Sequence, residues 1–274
     1  MNLFGNVSVF DLFRFWKFGL LHIRVTYDTI QWVMKMEKFE GFALTKIVPG
    51  YGYIEVVIAA LNEEPGIGPT IAELSENLHN YRLLVVDGYS HDRTVEIAKD
   101  CGADVVFQDG IGKGNAIMKA IERLDPNVDY VVLTDADYTY PAEYLPRMID
   151  VLEQEPDVGM VCGNRFDQQN EANAQRSSFY IGNKLLAFAH NLFNGVTLKD
   201  PLTGLRVIRA EILRNWMVKS KGFDIEVELN RQVEKQGFKI VEVPIRYRVR
   251  LGEKKLKMRH GATILKRIVL ETIH

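Results

Sequence analysis

Between residues 53 and 164, short runs rich in Val, Ile and Leu alternate with segments of helical period, and this alternation leaves few folds open to the chain. Tyr53–Ala60, Arg82–Val86, Asp104–Phe107, Tyr130–Thr134 and Val158–Cys162 read as strands. Ile67–Leu78, Arg93–Asp100, Lys113–Arg123 and Ala142–Glu153 read as the helices between them. Strands joined by helices of this length form βαβ units, so the pattern predicts an α/β fold with a mostly parallel central sheet flanked by helices. Further helices are predicted over Ser177–Phe193, Phe223–Gln236 and residues 261–273, with a strand over Lys239–Val243 that ends at Pro244. The 274 residues are 47% hydrophobic, enough to cover both faces of such a sheet.

Open parallel sheets bind ligands beyond the carboxyl ends of their strands. The polar residues at those ends are Asn62-Glu63-Glu64, Asp87, Gly112-Lys113-Gly114, Asp135-Ala136-Asp137 and Asn164-Arg165. Asp135 and Asp137 stand on either side of one small residue. Two carboxylates this close repel, and each is stabilised by a shared cation. Magnesium or manganese suits the pair, because these hard ions accept one or two carboxylates and complete their shell with water and phosphate oxygens. Such an ion neutralises a departing diphosphate. The plain alternative is a solvated turn with capping acids. The apolar strand before the pair and Pro141 after it favour the metal.

The ordered motifs resemble those of family 2 glycosyltransferases, in particular the polyprenyl-phosphate sugar synthases. Val57-Ile58-Ala59-Ala60-Leu61-Asn62-Glu63 is similar to the family's opening strand and loop, with Ala59 and Leu61 where Pro and Tyr are usual. The segment from Val85 to Thr94 resembles its second motif, with Gly88 in place of a second Asp. Gly112-Lys113-Gly114, Asp135-Ala136-Asp137 followed by Pro141, Gly163-Asn164-Arg165-Phe166 and Asp200 through Arg206 continue the series, as do Gly222 through Glu228, Glu242-Val243-Pro244-Ile245, Tyr247 and Lys255-Leu256. The resemblance spans residues 53–267 and implies a GT-A fold, Rossmann-like in its sheet. It further implies metal-dependent, inverting transfer of a sugar from a GDP- or UDP-linked donor to a polyprenyl phosphate. By the same resemblance Ala60, Asn62, Glu63, Asp87, Lys113 and Asp135 hold the nucleotide, and Asp135 and Asp137 bind Mg2+ or Mn2+. Arg165, Arg176, Ser177 and Arg206 hold the acceptor and donor phosphates, and Asp135, Asp137 and Arg206 are catalytic. Thr139 stands where the mannose synthases carry Gln, and Phe179 where a phosphate-binding Ser is common. A family 2 enzyme with a hydroxyl acceptor, using Glu226 or Asp224 as base, is the second reading. A non-catalytic nucleotide-binding protein is the third.

The remaining sequence divides around that domain, taken as residues 51–245. Residues 1–50 read as an aromatic-rich helical extension, with Phe10, Phe13, Phe15, Trp16 and Phe18 among cations. It suits a membrane surface, the main domain or a second subunit of a homo-oligomer, and the sequence leaves these open. Residues 246–274 hold a basic segment and an amphipathic helix. From Arg246 to Arg267 nine Lys or Arg face one acid, Glu253, which attracts phosphates and anionic headgroups. A net charge of −2 gives no support to nucleic-acid binding. No run of 18 apolar residues predicts a membrane span, and the first residues do not read as a signal peptide. Cys101 and Cys162 read as reduced core residues. The expected location is cytoplasmic, peripheral at the inner face of the membrane.

Overall fold

A computed structural model describes residues 52–166, 178–194, 197–257 and 260–273. The N-terminal extension, Arg176, Ser177 and Arg259 lie outside the described residues. The strands are β1 (Ile54–Ala60), β2 (Tyr81–Asp87), β3 (Asp104–Phe107), β4 (Tyr130–Asp135), β5 (Val158–Asn164), β6 (Arg206–Arg209) and β7 (Lys239–Pro244). The helices are α1 (Glu64–Asn77), α2 (Thr94–Asp100), α3 (Lys113–Glu122), α4 (Leu145–Gln154), α5 (Ser178–Asn194), α6 (Ala210–Leu213), α7 (Ile225–Lys235) and α8 (His260–Ile273).

All seven strands form one sheet in the order β3-β2-β1-β4-β6-β5-β7. Only β6 runs against its neighbours β4 and β5. Strands covered on both faces read as near-continuous apolar runs, because every residue needs an apolar partner. In β1, Val56 and Ile58 pack under α1 and α4, with Ile67, Ile71, Met148 and Leu152. Val57 points the other way, towards Ala116, Ile117, Ile225 and Leu229 of α3 and α7. A smaller cluster joins Ile264 and Ile268 of α8 to Leu186 and Ala189 of α5.

Several boundaries moved for identifiable reasons. α1 begins at Glu64, three residues before the expected start, because Pro65 fits a first helical turn where no N–H is needed. The helix expected from Ala142 splits into a 3-10 turn, Ala142–Tyr144, and α4, because Pro146 again fixes a first turn. β6 was not expected at all. Its four residues, Arg-Val-Ile-Arg, are too few to show a period, yet Val207 and Ile208 are fully buried. Cys162 is buried in β5 as expected, whereas Cys101 is exposed just after α2.

A buried polar cluster ties α5, α7 and β6 together. Asn230 lies 3.1 Å from the His190 ring and donates to the Pro201 carbonyl at 3.0 Å. Burial pushes the His190 pKa down to about 4, and the nearby Arg206 charge acts the same way. His190 is therefore neutral in the folded protein. An unfolded chain binds its proton near pH 6.5, so this group's contribution is complete above that pH and is lost as pH falls towards 4. Between about pH 7.5 and pH 5 the loss comes to roughly 1–2 kcal/mol. Denaturant titrations at both pH values should show that loss in the wild type and a shallower pH dependence in His190→Gln.

Candidate active site

Sheet register brings the expected polar residues together. Ala60 lies opposite Asp87 in β2, Asp87 opposite Phe107 in β3, and Ala59 opposite Asp135 in β4. The segments leaving these strands therefore share one crevice at the carboxyl edge of the sheet.

On the β1–β2 side the loops lock each other. Gly88 donates its N–H to the Ala60 carbonyl at 2.8 Å. Asp87 is fully buried and accepts from the Ser90 N–H at 2.8 Å and the Ser90 hydroxyl at 2.6 Å. Asn62, at φ 49°, donates its N–H to Ser90 Oγ and accepts from the His91 N–H at its side-chain oxygen, both at 2.8 Å. Glu63 is buried beside these loops, and burial pushes its pKa up to about 7 against the opposing pull of Arg250 and Lys255.

The carboxylate pair sits at the centre. Lys113 opens α3 and places its Nζ 2.8 Å from Asp135 Oδ1 and 2.8 Å from Glu226 Oε1. Burial works against its charge, but the two carboxylates raise its pKa above the usual lysine value. Asp137 accepts at Oδ1 from both the N–H and the hydroxyl of Thr139, at 3.1 and 2.6 Å, so Thr139 orients it. Burial raises the Asp137 pKa, and the neighbouring Asp135 adds to the effect. Arg250 Nη2 bridges Glu63 at 2.9 Å and Asp137 at 3.3 Å. Two glycines allow this closeness. A Cβ on Gly204 would lie 2.6 Å from Asp135 Oδ2, and one on Gly114 would overlap the Ser220 carbonyl. The Ser220 loop is itself fixed by Glu228, which accepts from the N–H groups of Lys219 and Ser220.

This donor set fits a hard divalent ion. Two carboxylates with further oxygen ligands drawn from water and phosphate are the usual requirement of such ions. Among the described residues no group of three or more His, Cys, Asp or Glu is placed to hold a metal ion together. Asp135 and Asp137 would hold the ion.

The arginines part company. Arg165 reaches the crevice edge, paired with Asp200 through Nε at 2.6 Å and Nη2 at 2.7 Å, with its guanidinium over the Tyr247 ring. Arg206 does not lie in a loop: it opens β6 and is 1% exposed. Its guanidinium donates to the carbonyls of Thr203 and Pro201 at 2.9 and 2.7 Å and to Asn230 Oδ1 at 2.6 Å. It lies a layer beneath the crevice and shapes the loop that carries Gly204. Arg250 is a crevice residue that the sequence reads only as part of the basic segment, and Glu226 one that it offers only as a base. The signal for Arg250 was present in the alternation Arg246, Arg248, Arg250. Arg248 pairs with Glu73 through two bonds, at 2.6 and 2.7 Å, and Arg250 reaches the carboxylates. Val249 faces outward, 84% exposed, whereas the Tyr247 ring packs on Tyr140 and under Arg165.

Arg206→Ala strips three acceptors of their donor, so it should destabilise the fold by about 3 kcal/mol. For a domain of this size that lowers Tm by roughly 6–12 °C. Calorimetric scans of Arg206→Ala and Arg206→Lys test this, and both should fall, since an ammonium cannot span the same three acceptors.

Comparison with known proteins agrees with this fold. The model of glycosyl transferase family 2 matches residues 55–217. A dolichyl-phosphate hexose transferase of Haloferax volcanii is 37% identical over 220 residues, covering 79% of this chain and 92% of that protein. A dolichol-phosphate mannosyltransferase of Pyrococcus furiosus is 27% identical over 225 residues, covering 77% of this chain and 60% of that protein. Glucosyl-3-phosphoglycerate synthase from Mycobacterium tuberculosis, solved with Mn2+, UDP and glucosyl-3-phosphoglycerate, has the same fold. It superposes with a TM-score of 0.62 at 23% identity, over 81% of this chain and 78% of that one. The expected GT-A architecture is thus present, and the chain belongs to glycosyl transferase family 2 and is a glycosyltransferase.

Proposed function

We propose that this enzyme transfers a hexose from a nucleotide-sugar to a polyprenyl phosphate, with inversion, at a membrane surface. The observation that carries the reading is the Asp135–Asp137 pair at the end of β4, flanked by Lys113 on one side and Arg250 on the other. Four carboxylates, Asp135, Asp137, Glu63 and Glu226, share these two bridging cations. Such a centre gains from added positive charge, which a bound Mg2+ or Mn2+ would supply to the departing diphosphate. The names of the Haloferax and Pyrococcus relatives support a polyprenyl-phosphate acceptor.

In this reading Ala60, Asn62, Glu63 and Asp87 border the nucleoside and Lys113 approaches the diphosphate. Arg165 faces the acceptor phosphate, a role that the resemblance extends to Arg176 and Ser177. Arg206 is a positioning residue that sets the Gly204 loop against Asp135. A phosphate oxygen is ionised at neutral pH and attacks the anomeric carbon without a protein base, while the nucleoside diphosphate leaves with the bond's electrons. Catalysis then rests on orientation and charge. The candidate bases of a hydroxyl-acceptor enzyme are otherwise engaged, Glu226 by Lys113 and Asp224 by Arg267 at 3.0 Å. That favours the phosphate acceptor. No helix among the described residues is long and apolar enough to cross a membrane, which is compatible with peripheral attachment.

Calorimetry with UDP and GDP, with and without Mn2+, tests the donor and metal. Wild type should bind one of them in a Mn2+-dependent manner, and Asp137→Ala should lose about tenfold or more, at least what outer partners of metal ligands are worth. Equal binding by both proteins in Mn2+ would remove the metal role. Nucleotide release from UDP- and GDP-hexoses, with and without polyprenyl phosphate, tests the acceptor.

A further inference from the structure

Tyr89 adopts a backbone conformation that is rare for a side chain of its size. Its φ is 66°, in the left-handed region that bulky residues avoid. The residues on either side hold it there. Gly88 is tied by its N–H to the Ala60 carbonyl, and Ser90 donates to Asp87 through both its N–H and its hydroxyl. The Ser90 hydroxyl also accepts from the Asn62 N–H. The loops that frame the crevice therefore impose the strain. Glycine would make the same turn without it, so the turn itself does not call for a ring. Nor does the core call for one, since Tyr89 is 56% exposed.

What the conformation provides is a partner for a second ring. Phe107 closes β3 opposite Asp87 and is 44% exposed. The two rings stack, with centroids 5.3 Å apart and planes 21° from parallel. Two aromatic rings thus stand together in water at the carboxyl edge of the sheet, one of them on a strained backbone. Strain of this kind persists at ligand contacts, where the ring's position has a use that folding alone does not supply.

Position identifies the occupant. The sheet runs β3-β2-β1-β4 on this side, so Phe107 and Asp135 are three strand spacings apart, about 14 Å. An extended nucleoside diphosphate has a comparable length. With its diphosphate at Asp135 and its ribose beside Asn62, its base arrives at Tyr89. The exits of the strands converge there. A Cβ on Gly88 would meet the Ala60 carbonyl and Gln108 Nε2 at 3.4 Å and Leu61 Cβ at 3.5 Å. Leu61 is itself 39% exposed, so the rim beside the rings is apolar. A nucleobase is flat and offers a π-face, which suits an aromatic surface whichever base it is.

We propose that the nucleobase of the sugar donor stacks on the Tyr89–Phe107 pair, with Tyr89 the main contact. This rests on the reading that the donor is a nucleotide-sugar and adds the residues that grip its base.

The test is calorimetry of the full-length protein in Mn2+ with UDP, GDP and ribose 5-diphosphate, which lacks a base. Tyr89→Gly should bind the preferred nucleotide about tenfold or more weakly, the usual loss when a base–aromatic stack is removed. Its affinity for ribose 5-diphosphate should equal that of wild type. Its Tm should not fall, because glycine relieves the strain, whereas a purely structural ring would lower Tm when lost. Tyr89→Phe should bind the nucleotide within about twofold of wild type, since the stacking face is kept. Phe107→Ala should weaken the nucleotide and spare the base-free ligand. The proposal alone is overturned if wild type binds UDP or GDP and Tyr89→Gly binds it equally. It is also overturned if Tyr89→Gly weakens ribose 5-diphosphate as much as the nucleotide, or if the substitution converts a dimer to a monomer with nucleotide affinity unchanged. Wild type that binds neither nucleotide overturns the donor reading and this proposal together.

Discussion

The crowding of negative charge at the end of β4 is the constraint around which the crevice is arranged. Asp135 and Asp137 are too close to be stable unaided, and Asp137 is also buried. The fold answers with one cation from each side. Lys113 comes from the start of α3, and Arg250 from the segment after β7. Each cation is shared with a further acid, Glu226 or Glu63, so both bridge separate elements. The segment after β7 is held over the strand ends by the same acids that would face a substrate. Backbone bonds from Arg248 to Thr139 and from Leu251 to Asp137 reinforce that hold.

Beneath this layer lies a second, buried polar one. Arg206, Asn230, His190 and the carbonyls of Pro201 and Thr203 satisfy one another with almost no access to water. An arginine there is costly to bury, and its value is geometric. Its planar fork fixes two carbonyls and an amide at once, which holds the 200–204 turn and so places Gly204 against Asp135. The side chain acts on the crevice through the backbone that it shapes.

After β7, Arg248 and Arg250 turn to the acids, Val249 turns out, and Tyr247 packs on Tyr140. Tyr247 in turn touches Arg165, next to Phe166 and α5.

The sequence by itself determined the sheet and most of its helices, because strands buried on both faces must be apolar throughout and their linking helices must keep a 3.6-residue period. It also identified the carboxylate pair, the Lys113 loop and the family, since those signals are local and ordered along the chain. Tertiary structure alone decided what each cation does. Arg206 and Arg250 are equally basic in sequence, yet one lies in the core and the other at the carboxylates. That difference depends on β6 inserting antiparallel between β4 and β5, and a four-residue strand has too short a pattern to announce itself. The Tyr89–Phe107 pair was hidden for a related reason. The two residues belong to separate βα units, and only the pairing of β2 with β3 sets their rings side by side.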